Sequence, residues 1–225
     1  TFVIGSGVTL SGNVVGGGGN DTLQNLGVGP NTWAVTGSDT GTATDVRGHA
    51  RIIREHSDAL VCVDGITAVG AHELRFDEWG IDACVTGSQK GLMIPPGLAF
   101  VALSPRAIAA MERSTLPKFY FDLRTALRSW EAADTPWTPA ISLIVGADAA
   151  LSMIRAEGID NVWRRHERLA KALRSGILAL GLRLFSEAPS FAVTPVWLPE
   201  GIDWKAFNRT LKVDNGITIA GGQED

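Results

Sequence analysis

Two residues of this chain are of types that do chemistry together, and each follows a short apolar run. Leu60-Val61-Cys62-Val63 leads straight into Asp64, and Ala83-Cys84-Val85 leads through Thr86-Gly87-Ser88-Gln89 to Lys90 and Gly91. A lysine in apolar surroundings loses part of its affinity for a proton and becomes a nucleophile toward carbonyl groups. The loop Leu92-Met93-Ile94-Pro95-Pro96 supplies such surroundings. A carboxylate facing the same crevice holds a positive charge or a proton. Taken singly, each residue has a plainer reading: a strand-ending acid serves as a cap or turn residue, and a lysine in a glycine loop is a solvated charge. The pair becomes chemistry only if the two strands end side by side.

The elements needed to bring them there are legible. Residues 59–63 form a continuous apolar run, as in a strand buried on both faces of a parallel sheet. Residues 82–86 and 98–103 read as further strands. In open α/β sheets ligands gather at the carboxyl ends of strands, which is where Asp64 and Lys90 fall. Asp45 can cap a helix through Val46, Ile52 and Ile53 to about His56. Ser104-Pro105 is a cap followed by a proline at the first helical position, opening a helix over 106–113. Longer helical patterns run over 140–156 and from Asp160 to a stop at Gly181. Residues 183–185, 193–198 and 217–220 read as strands, with a helix from Asp203 between them. Strands alternating with helices define an α/β class with a largely parallel sheet.

Composition narrows the function further. The 225 residues carry a net charge of −4, which is no footprint for nucleic acid. No apolar run approaches the ~18 residues that cross a bilayer, and Thr-Phe-Val-Ile at the start shows no basic n-region of a signal peptide. Cys62 and Cys84 lie inside apolar runs, read as small buried hydrophobes, and fit a reducing, cytoplasmic setting. No metal cluster stands out. Residues 1–38 are set apart by glycine, serine, threonine and asparagine, with no Lys, Arg, Glu or His. Gly16-Gly17-Gly18-Gly19-Asn20-Asp21-Thr22-Leu23 fits one copy of the calcium-binding nonapeptide of β-roll proteins, a repeat that needs neighbours to bury a core.

The motifs are more specific in combination. Val63-Asp64-Gly65-Ile66-Thr67-Ala68-Val69-Gly70 precedes Gly80-Ile81-Asp82, then Gly87-Ser88-Gln89-Lys90-Gly91 and Pro95-Pro96-Gly97. In order and spacing this resembles the class V pyridoxal 5'-phosphate (PLP) dependent aminotransferases of the alanine/serine–glyoxylate type, over residues 40–225. The resemblance implies a partial type I, aspartate aminotransferase-like fold, with a mainly parallel sheet and an incomplete small α/β C-terminal domain. It implies PLP as cofactor, amino transfer from alanine or serine to glyoxylate or a similar 2-oxo acid, and a homodimer. Lys90 would carry the internal aldimine and move the substrate proton, while Asp64 would hold the ring nitrogen protonated. Ile66 matches the aliphatic residue packed on the ring, and Gln89 the polar residue that contacts the phosphate. Thr138, in Trp137-Thr138-Pro139, resembles the phosphate-contacting residue lent to the neighbouring subunit.

The match has gaps. The family's phosphate loop and ring-stacking aromatic belong to a half for which the Gly-rich segment stands here. Ser38-Asp39-Thr40-Gly41 faintly echoes a serine loop at the ring hydroxyl, and Gly221-Gly222-Gln223 resembles the loop before the substrate-carboxylate arginine. The expected division is 1–38 as a foreign β-repeat-like segment, 39–155 as part of the PLP-binding domain, and 156–225 as the incomplete small domain. On this reading the chain is a fragment that transaminates poorly by itself. The alternative is a non-catalytic chimeric chain with a β-solenoid-like N-terminal segment. A cysteine desulfurase, which shares the fold, is disfavoured because no cysteine follows Cys84.

Overall fold

The computed structural model describes residues 43–221 together with two short strands, Gln24–Asn25 (β1) and Thr32–Thr36 (β2). The glycine motif at 16–23, the segment 38–41 and Gly222-Gln223 lie outside the described residues.

A five-stranded sheet in the order β1-β2-β3-β4-β5 organises the first half. Its later strands are Leu60–Asp64 (β3), Ala83–Gly87 (β4) and Ala99–Leu103 (β5). β2 pairs with β3, and β3 with β4, in parallel; β1 with β2 and β4 with β5 run antiparallel. The sheet is therefore mixed where the sequence suggests a mainly parallel one. The antiparallel β5 follows from its connection: residues 88–98 turn the chain back directly, with no helix to make a parallel crossover. β2, whose residues the composition groups with the Gly-rich segment, pairs along its full length with β3.

One face of the sheet is covered by Val46–His56 (α1). Asp45 starts this helix by accepting a hydrogen bond from the Gly48 amide (2.9 Å), which satisfies one of the free N–H groups of the first turn. Ala50 and Ile53 then meet Val61, Val63 and Cys84 of the sheet, with Ala59 and Ile81 completing the core. Beneath it Asp82, 1% exposed, gathers three elements. Its carboxylate pairs with Arg54 of α1 and accepts from the Val61 amide (2.8 Å) and from Ser104 Oγ (2.8 Å). Ser104 in turn caps Pro105–Glu112 (α2) through the Ala107 amide (3.1 Å). Asp82 thus belongs to the scaffold, at the end of β4 away from Lys90.

The remaining helices are Leu123–Glu131 (α3), Ile141–Glu157 (α4), Ile159–Ala179 (α5) and Trp204–Asp214 (α6). α3 has no counterpart in the sequence reading. The expected C-terminal strands at 183–185 and 193–198 shrink to one antiparallel bridge, Leu184 to Val196, and 217–220 forms no strand. Pro195 and Pro199 explain part of this, since proline has no N–H to extend a ladder. The bridge is closed by the Phe185 amide donating to Pro195 O (3.1 Å) and the Trp197 amide to Arg183 O (2.9 Å), with Phe185 packed on Trp197 (centroids 4.8 Å apart).

Candidate active site at the carboxyl edge of the sheet

Parallel pairing of β3 with β4 sets Asp64 opposite Val85. Asp64 is the last residue of β3, and the chain leaves β4 at Gly87, three residues before Lys90. Both groups therefore stand at the same edge. Two hydrogen bonds tie the strand ends together beyond the ladder. The Gly65 amide donates to Val85 O (2.8 Å), and Thr86 Oγ1 donates to Gly65 O (3.3 Å).

Asp64 Oδ1 accepts from the Ile66 amide (2.9 Å), which folds the chain sharply after the strand and leaves Ile66 36% exposed beside the carboxylate. Its other oxygen has no hydrogen-bond partner among the described residues. The charge of Asp64 reaches Cys84, whose thiol burial pushes up to about 11 with Asp64 adding to the effect.

The Lys90 turn is built around Ser88, a residue the sequence reading passes over. Ser88 is fully buried, and all of its polar groups close the loop over 88–98. Its amide donates to Leu98 O (3.1 Å) and its carbonyl accepts from Ile94 (3.1 Å); its hydroxyl donates to Pro95 O (2.7 Å) and accepts from Leu98 (3.2 Å). Met93 closes the turn on the Lys90 carbonyl (2.9 Å) and adopts a left-handed φ of 56°. Gln89 and Lys90 are exposed at the tip, with Gln89 Oε1 folded back over Gly87, 2.9 Å from where a Cβ on that glycine would lie. The glycine after Lys90 signals in the sequence how tightly this turn packs.

Thr138 stands apart from these four. It is exposed in the loop before α4, and no hydrogen bond joins it to them among the described residues. α4 itself backs the lysine loop, where Leu143 fills the space beside Gly97. Next to Thr138, Trp137 stacks on Tyr120 (5.0 Å) and donates to its carbonyl (3.3 Å). Phe119, Tyr120, Phe121 and Trp130 around it are all more than half exposed.

The fold is that of the PLP-dependent aminotransferases of fold type I. The solved alanine–glyoxylate aminotransferase from Nostoc sp. superposes with a TM-score of 0.78 over 85% of this chain and 52% of that one, at 30% identity. The family described as aminotransferase class-V matches residues 32–224, and the chain belongs to that family. Among curated relatives, the L-aspartate–glyoxylate aminotransferase of Paracoccus denitrificans is 42% identical over 170 residues, 72% of this chain and 43% of the relative. The soluble hydrogenase small subunit of a Synechococcus species is 40% identical over 189 residues, 83% of this chain and 49% of that protein. The chain spans about half the length of the curated relatives it matches.

Members of the family use PLP, and the residues at this edge fit that group. At the ends of two tied strands stand an amine, a carboxamide, a half-open aliphatic side chain and a carboxylate, one oxygen of which has no hydrogen-bond partner among the described residues. These are the donor types an aldehyde, a pyridinium nitrogen, a phosphate and a ring face require. No helix among the described residues is long and apolar enough to cross a membrane.

Proposed function

We propose that this chain carries the lysine half of a PLP-dependent transaminase that moves an amino group from alanine or serine to glyoxylate or a similar 2-oxo acid. The observation that carries the reading is the parallel pairing of β3 with β4, which puts Asp64 and the Lys90 turn on one edge. Glyoxylate as acceptor is supported by the names of the Paracoccus and Nostoc relatives. Alanine or serine as donor rests on the motif resemblance.

When bound, PLP supplies an electron sink for the substrate α-carbon. Lys90 Nζ would hold the cofactor and would move the proton at that carbon. Asp64 keeps a proton on the ring nitrogen, and Ile66 orients the ring by packing on its face. Gln89 binds the phosphate. Thr138 contributes to the phosphate site of a second copy, a role that rests on the motif resemblance. A homodimer formed through the aromatic surface around Trp137 is supported by the size of the apolar side chains exposed there. The PLP-binding part runs to about residue 155, with 156–225 as the small domain.

The test is borohydride reduction of the chain with PLP, followed by peptide mapping. Cofactor fixed on Lys90 is the expected result. Label spread evenly over the surface lysines would remove the basis for the reading.

A further inference from the structure

We propose that His72 is an acid-sensitive latch that ties the C-terminal segment 188–194 to the turn leading out of Asp64. His72 closes that turn, its amide donating to Ala68 O (2.8 Å), eight residues beyond the acid. Its ring reaches across to the other end of the chain. The Phe191 amide donates to Nε2 (2.7 Å), and Ser190 Oγ lies 2.9 Å from the same nitrogen. The imidazole stacks on Phe191 with centroids 4.6 Å apart and planes 7° from parallel.

A backbone N–H pointing at Nε2 fixes the chemistry, since a backbone amide only donates. Nε2 therefore carries a lone pair, and the Ser190 hydroxyl must donate to it as well. Adding a proton to Nε2 sets two N–H groups against each other and deletes the Phe191 bond. The charges around the ring make that proton unwelcome while the latch is closed. Burial lowers the His72 pKa from its usual value, the positive Arg174 of α5 lowers it further, and a proton on His166 of the same helix would add to the effect. Arg174 sits over the Phe191 ring (5.9 Å) and donates to the Ser190 carbonyl, so it holds the same segment. Asp45 and Arg47 at the start of α1, Asp64 of β3 and the neighbouring Glu73 complete the charged groups around the ring; they line with His72 and Ser190 a cavity of about 130 Å³.

Because the closed form disfavours the proton and the open form accepts it at the ordinary imidazole value, the latch is complete above about pH 6.5. It weakens as pH falls from there to the depressed value of the closed form. The segment it frees borders the cavity beside Asp64, so mild acid opens that side of the edge. The proposal does not depend on the bound cofactor.

Amide hydrogen exchange of the 225-residue chain, read at Phe191 and corrected for the intrinsic rate, tests it between about pH 7.5 and about pH 5. Protection should be lost by up to about tenfold per pH unit below about pH 6.5, levelling off once the pH passes the depressed closed-form value, as expected for one proton. His72→Gln retains an acceptor that does not titrate, and should keep its protection in acid. His166→Gln should leave the pH dependence in place. PH-independent protection in the parent chain, loss in His72→Gln that parallels the parent, or abolition of the effect by His166→Gln would each overturn the proposal.

Discussion

A Cβ on Gly91 would fall far inside van der Waals contact of the Val69 carbonyl oxygen. The turn that follows Lys90 is thus pressed directly on the backbone of the turn that follows Asp64. Gly70 makes the contact reciprocal, with a φ of 89° and a Cβ position only 2.9 Å from Gly91 O. Gly91→Ala must drive the two turns apart. We expect a loss of about 1–3 kcal/mol, typical of overpacking, measured by urea denaturation. An unchanged midpoint would mean that the turns are not in this contact in solution.

Ser88→Ala removes a hydroxyl that serves both Pro95 O and the Leu98 amide inside the lysine loop. Two part-buried backbone groups then lose their partner, at about 0.5–1.5 kcal/mol each, the net worth of an ordinary hydrogen bond. The loop should also loosen before the rest of the fold, which limited proteolysis within 88–98 would reveal. A variant cut no faster than the parent would show that the hydroxyl does not hold the loop.

Arg54→Ala strands the Asp82 carboxylate in the core. The Val61 and Ser104 donors remain, but the charge has lost its counter-ion, and breaking such a pair costs roughly 3–5 kcal/mol. Because Arg54 keeps part of its side chain in solvent, the lower end of that range is expected in a thermal melt. Stability within a few tenths of the parent would place the value of this cluster elsewhere.

Cys84 reports on Asp64 without any cofactor. Burial first, and then the Asp64 charge, pushes its thiol up to about 11. The folded state thus favours the protonated thiol. That contribution to stability is complete below the ordinary thiol value and is lost as pH rises toward about 11. At about pH 8 the native thiol should react with a disulfide reagent far more slowly than in the unfolded chain. Asp64→Asn should speed labelling of Cys84 while leaving Cys62, whose thiol is raised by burial and by Asp82, nearly unchanged. Equal labelling before and after the substitution would show that Asp64 does not face Cys84.

The aromatic surface gives a fifth variant its direction. Phe121→Glu places a charge on a side chain that is 86% exposed in the single chain. It should leave the melt of a monomer untouched and shift a dimer toward monomer in sedimentation velocity. No shift in a sample that is otherwise dimeric would move the interface away from this surface.

What the sequence determined by itself were the elements whose causes are local. Ser104-Pro105 starts α2 and Asp45 starts α1 because a capping oxygen and a proline act within one turn of helix. The apolar runs at 59–63 and 98–103 became β3 and β5 within a residue of their expected bounds. The motifs around Asp64 and Lys90 placed the chain in its family before any strand order was known. Tertiary structure alone decided what those elements meet. It made β5 antiparallel, reduced the C-terminal strands to one bridge around Pro195, and pressed Gly91 on Val69. It also brought Ser190 to His72 across 118 residues of chain. Helix caps and apolar periodicity are short-range properties, written in a few consecutive side chains. Strand order, backbone contact and a shared imidazole depend on which distant surfaces pack together, and no local run of residues encodes that choice.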